Sequence, residues 1–237
     1  MKFLDPLYHG RLIKRYKRFM ADIELDNGDV VTAHCANSGS MISVREPGSE
    51  VWISPARNPD RKLKFTWELI KVGDAMVGVN TSHPNQIVAE AISDGLIPEL
   101  SGYENLRREV KYGSNSRIDV LLEDDNKPDC YVEVKNVTLK RDLSKNAPCE
   151  FPDGVTARGT KHLNELQGMV KMGKRAVMFY FVQRDDATTF TLADDIDPVY
   201  ADAFKQARTN GVEMICYRCR LDDKEIVIDR KVDINID

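Results

Sequence analysis

The chain has 237 residues, a formal net charge of -4, 42% hydrophobic and 30% charged residues. That length supports a sizeable core and one or two domains, and that composition excludes a disordered or fibrous chain. The longest apolar run, Ala176 to Val182, falls far short of the about 20 residues a spanning helix needs, and no apolar leader follows Met1, so a cytoplasmic protein with no membrane partner is expected.

Charge is uneven along the chain: residues 1–80 carry net +2, residues 81–184 are neutral and residues 185–237 carry -6. Within the first part, Arg11, Lys14, Arg15, Lys17 and Arg18 surround Tyr16, and Arg57, Arg61, Lys62 and Lys64 form a second cluster. Cations interleaved with an aromatic suit a phosphate backbone and stacked bases, although lysines also protect a solvated strand edge. Residues 10–80 read as short strands. Ala21–Leu25 and Val30–His34 alternate around Asp26-Asn27-Gly28-Asp29, a hairpin signal. Further strands are expected at 50–55, 65–71 and 75–80, the last two joined by Gly73-Asp74. Five short strands with a basic face predict an OB-like barrel over residues 1–82.

The pattern then changes. Ile87, Val88, Ala91 and Ile92 recur at helical spacing, with Gly95 beyond them as a stop. Leu106–Tyr112 leads through a turn at Gly113–Ser116 into a β-rich run ending at Glu123, and Asp124–Pro128 turns the chain into Cys130–Val137. Leu163, Leu166, Met169 and Val170 stripe an amphipathic helix over 156–172. Ala176–Val182 reads as a strand buried on both faces. A helix over 199–208 and strands over 212–221 and 226–232 complete an α/β half with a mixed sheet, residues 83–237.

The chemistry concentrates at Asp119 and at Tyr131-Val132-Glu133-Val134-Lys135. Residues two apart on a strand share a face about 6.6 Å apart, so Glu133 and Lys135 point one way and Val132 and Val134 the other. Hairpin partners lie about 4.8 Å apart, which lets the Asp119 and Glu133 carboxylates converge on one cation. Mg²⁺ (or Mn²⁺) takes such hard oxygen ligands with waters and substrate phosphates, and lowers the pKa of a bound water. A lysine alongside orients that water and steadies the phosphorane oxygens. An Asp followed by Glu-x-Lys on antiparallel strands, with a helix after them, is the layout of the PD-(D/E)xK phosphodiesterases. Asp129 is a competing acidic partner, but it sits four residues from Glu133 on the same strand, about 13 Å away, and reads as a turn residue.

Nearly the whole chain is spanned by Tyr8-x-x-x-Leu12-Ile13-Lys14-Arg15-Tyr16-Lys17-Arg18-Phe19, Cys35-x-Asn37-x-Gly39-x-Met41, Thr66-Trp67-Glu68-Leu69, Ser116-Arg117-Ile118-Asp119, Tyr131-Val132-Glu133-Val134-Lys135, Phe151-Pro152-Asp153 and Arg158-Gly159-x-Lys161-His162-Leu163-x-Glu165-Leu166. In these motifs and their order the sequence resembles the sugar fermentation stimulation protein A (SfsA) family. The resemblance implies an N-terminal OB-like barrel followed by a restriction-endonuclease-like domain of α+β, mixed-sheet type. It also implies DNA binding and a link to sugar (maltose) metabolism, with Asp119, Glu133 and Lys135 as counterparts of a nuclease triad. Ile118-Asp119 stands where the nuclease pattern has Pro-Asp, a departure that keeps the carboxylate.

Arg158, Lys161, His162 and Glu165 lie on one helix face behind Asp153, and the helix N-terminus attracts phosphate. Asp153, Arg158, Lys161 and His162 are therefore candidate phosphate or supporting contacts, and Arg117 joins Arg11–Arg18 as a candidate nucleic-acid contact. Glu90 is a candidate third metal-shell carboxylate. Cys216-x-x-Cys219 has no second pair and reads as packing rather than a zinc site; five scattered cysteines fit a reducing compartment. Asp185-Asp186 and Asp194-Asp195 read as solvated loops or helix starts. The expected function is Mg²⁺-dependent phosphodiester hydrolysis of DNA, single- or double-stranded, with RNA and a homodimer also admitted. The alternatives are a non-catalytic DNA-binding transcriptional regulator on the same fold, and a barrel that binds a sugar or a protein.

Overall fold

The computed structural model describes residues 1–113 and 116–236; Ser114 and Asn115 of the expected 113–116 turn lie outside the described residues. Six strands form the first sheet: β1 (Tyr8–Tyr16), β2 (Met20–Leu25), β3 (Val30–His34), β4 (Glu50–Pro55), β5 (Phe65–Val72) and β6 (Ala75–Gly78). The order is β3-β2-β1-β4-β5-β6, and a parallel pairing of β3 with β5 closes the first five strands into the expected OB barrel. The alternation read from the sequence fills it: Leu12, Ile23, Ala33, Val51, Ile53, Trp67 and Val77 point inward. The structure makes β1 out of the basic segment itself, with a register shift between Leu12 and Lys14. A bulge re-aims side chains, and here it divides the cations between directions.

The second sheet has the order β14-β13-β11-β9-β8-β7, from β7 (Asn105–Tyr112), β8 (Ser116–Glu123), β9 (Cys130–Val137), β11 (Arg175–Val182), β13 (Glu213–Leu221) and β14 (Ile226–Lys231). β11 runs parallel to β9 and β13, while β8 and β14 are antiparallel to their neighbours, so the sheet is mixed as expected. β11 is apolar throughout because both faces are covered. Met178, Tyr180 and Val182 face α2 (Ala157–Lys171) and α3 (Pro198–Thr209), and Val177, Phe179 and Phe181 face α1 (Pro84–Ser93). Three short strands, β10 (Cys149–Phe151), β12 (Thr189–Leu192) and β15 (Asp233–Ile234), form a small parallel sheet that periodicity did not predict. All five cysteines are buried and unbridged, and Cys216 and Cys219 enter opposite cores, as packing residues do.

Several contacts fasten the barrel to the second half. Gly78 N–H donates to Gln183 O, and Met76 N–H donates to Asp185 Oδ1 at 3.1 Å. Within the second half, beside that junction, Asp186 is ion-paired to the buried side chains of Lys140 (3.2 Å) and Arg184 (2.8 Å). The Asp185-Asp186 pair is thus not a solvated loop, because two cations removed from water need a counter-charge beside them. The first three residues join the second sheet: Phe3 N–H donates to Lys224 O, and Lys2 pairs with Glu225. Among the described residues no helix is long and apolar enough to cross a membrane.

Candidate functional site

The β8–β9 ladder runs from Leu122↔Cys130 to Val120↔Val132 and stops there. One residue further, Asp119 faces Glu133, and the Asp119 side chain substitutes for the backbone: its Oδ2 accepts the Val134 N–H at 2.8 Å. Asn85, in the first turn of α1, donates from Nδ2 to the other oxygen at 2.7 Å. Burial, then the nearby charge of Glu133, pushes the Asp119 carboxyl from 3.8 up to about 6.

Glu133 is 2% exposed. Its Oε1 accepts from Lys135 Nζ at 2.6 Å and faces His162 Nδ1 on α2. Burial alone would raise this carboxyl, but the His162 hydrogen bond and the Lys135 charge outweigh it and hold it below the ordinary value. Arg158 donates from Nε to His162 Nε2 at 3.4 Å, and Lys135 Nζ lies 3.1 Å from His162 Nδ1, so the ring is held between the two cations and Glu133. Glu133 Oε2 is buried with no hydrogen-bond partner.

Among the described residues no group of three or more His, Cys, Asp and Glu side chains stands at metal-binding spacing. The oxygens of Asp119 and Glu133 still suit a hard divalent cation, which takes one or two carboxylates and completes its shell with water. A desolvated Asp119 and an unpartnered Glu133 Oε2 are what a cation there would relieve. Glu90 is placed elsewhere: it pairs with the Met1 amino group at 3.0 Å and accepts from Gln86 at 2.7 Å, while Asn85 is the α1 residue that reaches Asp119. Positions 85 and 90 point in different directions on a helix, so both cannot face β8. Asp129 pairs with Lys174 at 2.6 Å, at the start of β9.

A cleft of about 800 Å³ opens between the barrel and the second half. Arg15, Arg18, Arg45 and residues 37–40 line one side, and Asn136, Thr138 and residues 150–156 the other. Asn136 brings the cleft to β9, but its side chain alternates with that of Lys135, and Asp119, Glu133 and Lys135 are not among the lining residues. The basic run 11–18 does not form a single face. Arg15 donates to Asn37 O and Gly39 O, and Arg18 to Ser38 O, in the cleft wall. Arg11 turns to Gly48 O, and Lys14 pairs with Asp22 and lies over the Tyr16 ring. Lys17 is exposed at the β1–β2 turn, and Arg117 is exposed on β8 two residues from Asp119.

Asp153 is a clamp across the cleft: its Oδ2 accepts the Met41 N–H at 3.1 Å, and its own backbone oxygen accepts from Ser40 Oγ. Thr156 caps α2 through the Gly159 N–H, and Lys161 pairs with Glu165 at 3.6 Å. Two groups carried no chemical reading on their own. Glu165 is enclosed beside Gly113, and His83 donates to buried Glu68 at 2.8 Å, alongside Ser54 and Asn80. Glu165 had one available signal, its position three residues after His162 on the same helix face.

The family model "Sugar fermentation stimulation protein RE domain" matches residues 82–225, and "SfsA N-terminal OB domain" matches residues 13–79. The sugar fermentation stimulation protein homolog of Rhodospirillum rubrum is 61% identical over 229 residues, covering 94% of both chains. That of Maricaulis maris is 49% identical over 236 residues, covering 100% of this chain and 99% of its own. The solved structure of Pyrococcus furiosus SfsA in complex with Ca²⁺ superposes with a TM-score of 0.86 at 23% identity, over 100% of this chain and 98% of that one. The chain belongs to the sugar fermentation stimulation protein family.

Proposed function

We propose that this protein is a nucleic-acid-binding, divalent-cation-dependent phosphodiesterase acting on DNA. The observation that carries the reading is the parting of β8 from β9 at Asp119, which leaves Asp119 opposite Glu133, itself paired with Lys135; a cleft walled by Arg15, Arg18 and Arg45 reaches Asn136, the next residue along β9. Asp119 and Glu133 would hold Mg²⁺ or Mn²⁺, which supplies an acidified water and neutralises the scissile phosphate. The relative from Pyrococcus furiosus was solved with Ca²⁺, a cation of the same oxygen-seeking class. Lys135 Nζ, held at 2.6 Å from Glu133, orients the attacking water and donates to the phosphorane oxygens. His162, with Arg158 behind it, fixes the Glu133 carboxylate. Arg15 and Arg18 steer the phosphate backbone into the cleft.

The test is incubation of plasmid and single-stranded DNA with Mg²⁺ or Mn²⁺, beside a Lys135→Ala control. Cleavage should fall by about 10²–10⁴-fold in the variant while DNA binding persists. One observation favours a second reading, a non-catalytic DNA-binding regulator of sugar metabolism: Glu133 Oε1 already holds both Lys135 and His162, as a purely structural cluster would. Salt-sensitive binding without cleavage in either metal would select it and sink the enzyme.

A further inference from the structure

Glu68, on β5 of the barrel, is 4% exposed. Burial alone would raise its carboxyl, but hydrogen bonds from His83, Ser54 and Asn80 outweigh it and hold the group below the ordinary carboxylate range. Ser54 Oγ donates to Oε1 at 2.6 Å, and Asn80 Nδ2 and His83 Nε2 each donate to Oε2 at 2.8 Å. A carboxylate taken out of water needs such partners. Asn80 and His83 both belong to the link that carries the chain from the barrel to α1. Asn80 Oδ1 in turn accepts from the Ser82 N–H and hydroxyl, so the link is folded round Glu68.

His83 stands at the N-cap of α1 and makes no side-chain cap; its ring reaches back to the barrel. Ser, Thr, Asp and Asn are favoured at that position because they satisfy first-turn N–H groups. This helix start gives up that bond for a tie to Glu68. Two residues on, Asn85 Nδ2 donates to Asp119 Oδ1 at 2.7 Å. Each helical residue turns the chain by about 100°, so positions 83 and 85 face nearly opposite ways. The first turn is therefore gripped on one side by the barrel and on the other by β8. The apolar stripe of Ile87, Val88, Ala91 and Ile92 seats α1 on the second sheet, but it begins only after that grip.

We propose that Glu68 and His83 are positioning residues: they fix the first turn of α1 so that Asn85 meets the Asp119 carboxylate. A barrel side chain thereby sets the surroundings of a candidate site in the other half of the molecule. The role of Asp119 as a cation ligand rests on the phosphodiesterase reading; the tie from Glu68 to Asn85 stands apart from it.

The Asn85 side-chain amide, identified in a ¹⁵N spectrum by its loss in Asn85→Ala, reports the contact in metal-free buffer. His83→Ala should move this signal toward that of a solvated amide and speed its hydrogen exchange. His83→Gln, whose amide can donate to Glu68 in place of the ring, should restore it. Glu68→Ala should shift the signal to the same place, and half-buried His83→Ala decides the matter if that buried change unfolds the barrel. A thermal melt of each variant checks that it is folded. A signal unchanged in folded His83→Ala overturns the proposal, and so does one that moves equally in His83→Gln, the mark of general loosening. Mn²⁺ titration calorimetry gives the second readout. His83→Ala and Asn85→Ala should each weaken the ion by at least about tenfold, and the double variant should be no weaker than either. Additive losses overturn the proposal. No Mn²⁺ bound by the native protein overturns the cation reading, and the amide signal then decides the tie by itself.

Discussion

Asp119 receives hydrogen bonds from the Val134 amide and from Asn85, yet burial and the adjacent Glu133 outweigh both and its carboxyl titrates near about 6 instead of 3.8. The folded value lies above the unfolded one, so the native state holds this proton more tightly. The resulting stabilisation is complete below about pH 4 and is lost as pH rises through about 6. In metal-free buffer, Asp119→Asn should therefore gain stability relative to the native protein between pH 4 and pH 8, by at most about 3 kcal/mol. Urea midpoints of both proteins at the two pH values measure it. The hydrogen bond that an amide fails to accept shifts both measurements equally, so the difference between them is the readout. A gain independent of pH would show that Asp119 is not strained.

At the scale of elements, two sequence motifs far apart in the chain act as one latch. The loop of Asn37, Gly39 and Met41 meets Asp153 because Gly39 has no side chain: a Cβ there would run into the Asp153 carboxylate. Gly39→Ala should push Asp153 off the Met41 N–H and cost about 1–2 kcal/mol, read by urea denaturation. A neutral Gly39→Ala would mean that the latch gives way without loss. The β8–β9 hairpin and the amphipathic α2 were legible because alternation and a helical stripe are local signals, set by one buried face each. β10, β12 and β15 were not legible, since strands of two to four residues carry too little period and form only because β10 and β15 both find β12 as a neighbour.

Across the whole molecule, the cleft decides which cations face a ligand. Arg18 and Arg45 line it and are exposed, while Arg11 is tied to Gly48 O. If DNA lies in the cleft, Arg18→Ala/Arg45→Ala should lower the slope of log K against log salt by about 1.4–1.8, from two lost phosphate contacts, whereas Arg11→Ala should change it less. Fluorescence anisotropy across a salt series tests this. Equal effects from both variants would place the strand on the barrel's outer face.

Sequence alone determined the barrel-then-mixed-sheet architecture and the family, because alternation, helical stripes and local motifs are written in residue types along the chain, and it singled out Asp119, Glu133 and Lys135 as candidates. The tertiary structure decided what those residues touch. It moved Glu90 to the amino terminus, split the basic run of β1 between the cleft and the outer surface, and turned Asp153 from a phosphate candidate into a clamp between the halves. It also brought Glu165 beside Gly113, and His83 onto Glu68. These are contacts between groups separated by up to 113 residues, fixed by how distant elements pack together. No period along the chain encodes that meeting, because the charge and burial of each group depend on partners supplied by other elements.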